Sequence, residues 1–178
     1  MIDPAIGALL AGAFGLLFLS AALQKLRRLG EFTEILRAYQ VLPDSAARLS
    51  WAVPALELTI AAGLLAGASR PGACLAGAAL LVLYGAAIAV NLQRGRYDLS
   101  CGCGGVDERR PIAAWMVWRN LLLAALLAAL LIPWSSRAMD AADALTIGAG
   151  TVITALLYMS VDWLLGRVAP RAARLRGA

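Results

Sequence analysis

The sequence contains no histidine, and this absence closes several routes before any motif is read. A Ser-His-Asp hydrolase, a His-ligated zinc or haem centre and an imidazole general base all need a residue that is missing here. Charge is scarce as well. Only 15% of the 178 residues are Asp, Glu, Lys or Arg, whereas soluble domains carry about a quarter. Hydrophobic residues make up 61% of the chain. The mean hydropathy of +0.76 is that of a chain that lives in lipid. Cysteine is limited to three residues, so with histidine absent the chemistry left is that of cysteine, carboxylate, Lys or Arg. The net charge of +5 does not point to nucleic acid, because neither an aromatic RNA-binding motif nor a basic DNA-reading helix is present. In an apolar chain the first use of basic residues is orientation in the bilayer.

What the chain does have is long apolar runs. About 20 residues at 1.5 Å rise cross a hydrocarbon core of roughly 30 Å. Charge-poor stretches of that length run over residues 4–24, 49–69, 71–93, 111–136 and 144–166. The second is interrupted by Glu57, the fourth carries Arg119 and the fifth carries Asp162. These predict an all-α integral membrane bundle, a single domain over 1–178, with a four-helix core and a fifth C-terminal transmembrane helix. The first run lacks a basic stretch before it and is followed by basic residues, so it reads as a retained helix and not as a signal peptide. Between Gly30 and Pro43, apolar Phe32, Ile35, Leu36, Tyr39 and Leu42 recur at helical spacing, with Glu31, Glu34, Arg37 and Gln40 opposite. The spacing predicts a short interfacial helix over about 31–42, ended by Pro43.

Five crossings sort the hydrophilic segments onto two faces. One face carries two basic residues, Arg70 and Arg137. The other carries thirteen, among them Lys25, Arg27, Arg28, Arg94, Arg96, Arg109 and Arg110. This bias predicts a multi-pass protein of a bacterial inner membrane, with the N-terminus out, the C-terminus in and residues 94–110 cytoplasmic.

The densest chemical motif lies in that 94–110 loop, where Cys101, Gly102, Cys103, Gly104 and Gly105 follow one another. A Cys-x-Cys pair forms a disulfide only if the chain between the thiols bends tightly, and Gly102 permits the bend. The small ring would be strained and readily reduced, which suits exchange better than stapling. Arg109, Arg110 and a helix expected to start at Pro111 favour thiolate, while Asp98 opposes it. Two alternatives stand beside thiol exchange. The pair could be half of a metal site, with copper(I) the best candidate, but Cys74 starts the third run on the other face, so no metal ligand set is assigned. The two cysteines could also be incidental. Cys74 itself reads as a packing residue.

Charges inside the runs need partners or a purpose, since each costs roughly 2.5 to 3.5 kcal/mol at a helix centre. Glu57 and Arg119 each lie eight residues into their runs, about 12 Å below the basic face, so an ion pair between them is expected. Lys25, Asn91, Asn120 and Asp162 fall in the same leaflet. Lys25 and Asp162 are close enough to the interface to snorkel. The candidate polar pocket under the cysteines is therefore Lys25, Glu57, Asn91, Arg94, Arg119 and Asn120, with Gly102, Gly104 and Gly105 shaping the loop backbone.

Five segments, in order, carry a family resemblance: Ala22-Leu23-Gln24-Lys25-Leu26, Tyr39-Gln40-Val41-Leu42-Pro43, Pro54-Ala55-Leu56-Glu57-Leu58, Asn91-Leu92-Gln93-Arg94-Gly95-Arg96 and Cys101-Gly102-Cys103-Gly104, followed by Arg119-Asn120. Together they resemble the MauE methylamine utilisation proteins within the DoxX-like group of small membrane proteins. Many members read Cys-Gly-Cys-Phe-Gly, whereas Gly104-Gly105 follows directly here, a missing aromatic that bears on loop packing or partner choice. The resemblance implies a role in maturing methylamine dehydrogenase, by disulfide formation or electron transfer for its disulfide-rich small subunit. Its implied partner is a thioredoxin-like protein, membrane-anchored or exported. Similarity to membrane thiol oxidoreductases such as vitamin K epoxide reductase brings in a quinone as the candidate cofactor. Three readings follow: thiol-disulfide exchange at Cys101 and Cys103, a non-catalytic DoxX-like subunit or scaffold of an oxidoreductase complex, and, more weakly supported, a small transporter.

Overall fold

The computed structural model describes residues 3–41, 43, 49–67, 69–100 and 111–175, and among these every regular element is a helix. In chain order they are α1 (Pro4–Arg27), α2 (Leu29–Tyr39), α3 (Ala52–Ala66), α4 (Arg70–Gln93), α5 (Ala114–Ala129) and α6 (Ala141–Leu175). The protein is a helical membrane bundle. In α1, α4 and α6 there are stretches long and apolar enough to cross a membrane: Pro4–Arg27, Arg70–Gln93 and Ala141–Asp162. The shorter apolar helices α3 and α5 complete a four-helix core with α1 and α4: α1 packs on α3, α3 on α4 and α4 on α5, while α6 lies against the outside of α1.

The helix ends differ from the charge-free runs for local reasons. Charge-free runs also count apolar turn residues, so α3 and α5 are shorter than 49–69 and 111–136. Conversely, α1 continues through Lys25 and Arg27, whose charges suit a helix C-terminus. Its start is fixed by the Asp3 carboxylate accepting the Ala5 N–H at 2.9 Å, with Pro4 at the first helical position. At the head of α6 Asp140 and Asp143 cap each other reciprocally: the Asp143 N–H meets Asp140 Oδ1 at 2.9 Å and the Asp140 N–H meets Asp143 Oδ2 at 3.0 Å. The expected stop of α2 at Pro43 is wrong. That helix ends at Tyr39 because Gln40 turns left-handed, at φ 49°.

Lipid is as apolar as leucine, so the bundle is held by close packing and polar contacts rather than by exclusion of water. Its main core joins Phe14 and Phe18 of α1, Ile60 and Leu64 of α3, Cys74 and Leu81 of α4 and Leu127 of α5. Gly77 sits at its centre, where an added Cβ would stand 2.6 Å from Leu127 Cδ2 and 3.2 Å from side-chain atoms of both Ile60 and Phe18. Cys74 is fully buried there as a free thiol, consistent with packing. A second, smaller cluster of Tyr39, Ile88, Leu99, Ile112 and Met116 seats α2 and the base of the 94–110 loop on α4 and α5. Leu75, Val82 and Leu83 of α4 and Val152, Ile153, Leu156 and Leu157 of α6 are exposed, the outward apolar surface a membrane helix presents to lipid.

Candidate functional site

At one end of the bundle the last turn of α1 brings Lys25 against Glu57 in the second turn of α3. Lys25 Nζ lies 2.7 Å from Glu57 Oε1, and the two are 6% and 0% exposed. The Tyr84 hydroxyl of α4 donates to the same oxygen at 2.8 Å. Glu57 Oε2 is buried and has no hydrogen-bond partner among the described residues. Two rings flank the ammonium, Phe32 of α2 with its centroid 5.6 Å away and Tyr84 with its centroid 5.5 Å away. Lys25 therefore turns into the bundle instead of snorkelling outward. Breaking a buried pair of this kind leaves an uncompensated charge, a loss of about 3 to 5 kcal/mol.

The expected pairing of Glu57 with Arg119 is replaced by two separate pairs. Arg119 of α5 pairs with Asp162 of α6 and stacks against Trp115, 5.4 Å from its ring centroid. Helical rise does not give the direction a residue faces around each axis, and α5 contacts α4, whereas α3 turns Glu57 toward α1. Asp162 thus serves as a partner across helices.

The two buried asparagines return to their own helices. Asn91 Nδ2 donates to the Ala87 carbonyl at 3.0 Å, and Asn120 Nδ2 donates to the Met116 carbonyl at 2.8 Å. Asn91 also reaches outward, its Oδ1 accepting from Arg96 Nη1 at 3.4 Å. Arg94 leaves the pocket and donates to the Gln40 carbonyl at 3.2 Å, while Arg96 donates to Gln40 Oε1 at 3.2 Å. The left-handed turn at Gln40 presents both oxygens, so the end of α2 braces the start of the 94–110 loop.

The base of that loop is defined on both sides. Ser100 and Pro111 form an antiparallel bridge, and the Ile112 N–H donates to the Leu99 carbonyl at 2.9 Å, with Leu99 and Ile112 both buried. Pro111 is in this bridge rather than in the first turn of α5, which starts at Ala114. Cys101, Gly102, Cys103, Gly104 and Gly105, with Arg109 and Arg110, lie outside the described residues. In sequence, Cys101 follows the bridged Ser100 directly.

Sequence reasoning overlooked Tyr84, Phe32, Gln40 and Arg96. Tyr84 carried one signal, a hydroxyl inside an otherwise charge-free run. Gln40 and Arg96 carried another, since both fall within the segments that bear the family resemblance.

The opposite end holds a different arrangement. Arg137 spans Asp3 and Asp143, with its Nε 2.8 Å from Asp3 Oδ2 and its Nη1 2.7 Å from Asp143 Oδ2. The Arg137 hydrogen bonds, then that of the Ala5 N–H, hold the Asp3 carboxyl below its ordinary value. From the middle of the bundle toward the cysteine end, an apolar crevice of about 350 Å³ runs between α1, α5 and α6, lined by residues including Leu10, Phe14, Leu17, Leu23, Leu123 and Met159. Its surface suits a hydrocarbon chain.

Comparison with known proteins matches residues 3–134 to the family described as Methylamine utilisation protein MauE. The MauE of Paracoccus denitrificans is 36% identical, covering 97% of this chain and 94% of its own length. The MauE of Paracoccus versutus is 40% identical, covering 98% and 96% respectively. The MauE of Methylophilus methylotrophus is 34% identical, covering 92% and 88%. No solved structure matches the chain.

Proposed function

The chain belongs to the MauE family of methylamine utilisation proteins, and from that premise we propose that it assists maturation of methylamine dehydrogenase by thiol-disulfide exchange. The observation that carries the reading is the bridged neck of the 94–110 loop. Ser100 and Pro111 pair above a buried Leu99–Ile112 base, and the two thiols follow in sequence from that anchored point. A fixed base restricts where the pair can meet a partner, which lowers the ordering cost of each encounter.

The chemistry is a reversible exchange. A thiolate of Cys101 or Cys103 attacks one sulfur of a disulfide on a thioredoxin-like partner, and the partner's other sulfur leaves as thiolate. The second cysteine then attacks the mixed disulfide. A disulfide between Cys101 and Cys103 results, the partner leaves as a dithiol, and two electrons have passed from this chain to the partner. The reverse sequence delivers oxidising equivalents outward toward the dehydrogenase small subunit. A quinone would place its tail against Leu10, Phe14, Leu17 and Leu123 of the crevice and would supply the two-electron acceptor that regenerates the disulfide.

We place the protein in the bacterial inner membrane, its helices crossing five times, with the N-terminus out and the cysteine loop cytoplasmic on the basic-residue bias. A cytoplasmic loop suits reductant entering from the cytosol; a periplasmic one suits direct exchange with an exported partner. Alkylation of Cys101 and Cys103 from each side of the membrane distinguishes these. Replacing both cysteines by serine is expected to abolish maturation of methylamine dehydrogenase, while Cys74→Ser leaves it intact. Maturation that survives the double replacement but fails when Arg94 and Arg96 are neutralised would instead support a non-catalytic scaffold.

A further inference from the structure

We infer that Glu57, Tyr84 and Phe32 form a binding cage for a primary alkylammonium, that its resident ligand is the chain's own Lys25, and that the filled cage latches α2 onto the bundle. Each of four helices contributes one group: Lys25 from α1, Phe32 from α2, Glu57 from α3 and Tyr84 from α4. The groups around the nitrogen are those that recognise an ammonium ion. One carboxylate oxygen lies 2.7 Å away, and two aromatic rings stand with centroids 5.5 and 5.6 Å away. Glu57 is 0% exposed and its Oε2 remains without a hydrogen-bond partner among the described residues, so the anion depends on this cation for its compensation.

The latch follows from where the groups sit. Phe32 lies on α2, whose far end carries Gln40, the residue that accepts hydrogen bonds from Arg94 and Arg96. Ammonium in the cage adds to the hold that the Tyr39 cluster and the Thr33–Ser50 hydrogen bond keep on α2, and α2 in turn braces the start of the 94–110 loop. The cage lies in the helical bundle and does not depend on exchange at the cysteines.

Methylammonium reproduces the terminal carbon and nitrogen of a lysine side chain, so it is the probe. The test is amide hydrogen exchange of the full chain in lipid nanodiscs, read at α2, in methylammonium chloride against sodium chloride at equal ionic strength. In the wild type the tethered ammonium has a large effective concentration, and added methylammonium should change nothing. Lys25→Ala should raise exchange in α2 on the order of tenfold or more. Methylammonium should restore protection. Lys25→Met, which fills the space without charge, should be equally unprotected and should not respond. Lys25→Ala combined with Glu57→Gln should not respond either.

The inference is overturned if Lys25→Ala exchanges like the wild type, if Lys25→Met does, or if methylammonium acts no better than sodium. It is equally overturned if methylammonium protects the double variant as well as the single one. Should Lys25→Ala fold only in methylammonium, the inference is supported. Should it fold in neither salt, Phe32→Leu with Lys25 intact decides: faster α2 exchange supports the cage, and unchanged exchange contradicts it.

Discussion

The two ends of the bundle both carry a basic residue held by carboxylate, and they use it in opposite ways. At the cysteine end, Lys25 and Glu57 are buried, share one short contact and draw in Tyr84 and Phe32. At the other end, Arg137 bridges Asp3 and Asp143 in a more open cluster, the Arg137 and Asp3 side chains being 43% and 38% exposed and Asp143 14%. Water and salt screen the second arrangement, whereas lipid and protein surround the first. Similar chemistry is therefore structural trim at one end and a constraint at the other.

The largest effect should come from breaking the buried pair. Lys25→Ala or Glu57→Ala alone is expected to lower the unfolding free energy in mixed micelles by about 3 to 5 kcal/mol. Exchanging the two residues should recover part of that loss, while exchanging Glu57 with Arg119 should recover none. Recovery in the second exchange would show that the pairs are drawn wrongly. Next comes Arg119→Ala, which should cost about 1 to 2 kcal/mol by the same assay, because the Arg119 and Asp162 side chains are 15% and 18% exposed. Tyr84→Phe removes one hydroxyl donor and keeps the ring, so about 0.6 kcal/mol is expected, the mean for a hydrogen bond between membrane helices.

The smallest effect belongs to the exposed end. Arg137→Gln should be barely measurable in physiological salt. Its pH signature has a defined sign: the folded Asp3 carboxyl lies below its ordinary value of 3.8, so its contribution is complete above 3.8 and fades as pH falls through the folded value. Stability of the wild type and of Asp3→Asn should converge in acid and differ slightly at neutral pH. A large, salt-insensitive loss for Arg137→Gln would erase the distinction between the ends.

Run length was legible in the sequence, but direction around each helix was not. The long helices among the described residues fall on apolar runs, and counting residues at 1.5 Å each was the basis for expecting Lys25, Glu57, Arg119 and Asp162 at one level. The same count could not say that α3 turns Glu57 toward α1, because neighbour order depends on packing at residues such as Gly77. The end of α2 was missed for a local reason, since Pro43 signals a stop but the left-handed Gln40 imposes one earlier. The start of α5 was missed because Pro111, a good first residue of a helix, is held in the bridge to Ser100. Tyr84 was missed because a lone hydroxyl in an apolar run has no period to betray it.

The proposed exchange at Cys101 and Cys103 is tested most directly by trapping. Single Cys101→Ser and Cys103→Ser variants, expressed with the thioredoxin-like partner and quenched with alkylating agent, are resolved on non-reducing gels. The account predicts that one of them accumulates a reductant-sensitive adduct with the partner, that the wild type shows little, and that the double variant shows none. No adduct with either single variant, alongside normal dehydrogenase maturation in the double variant, would contradict it.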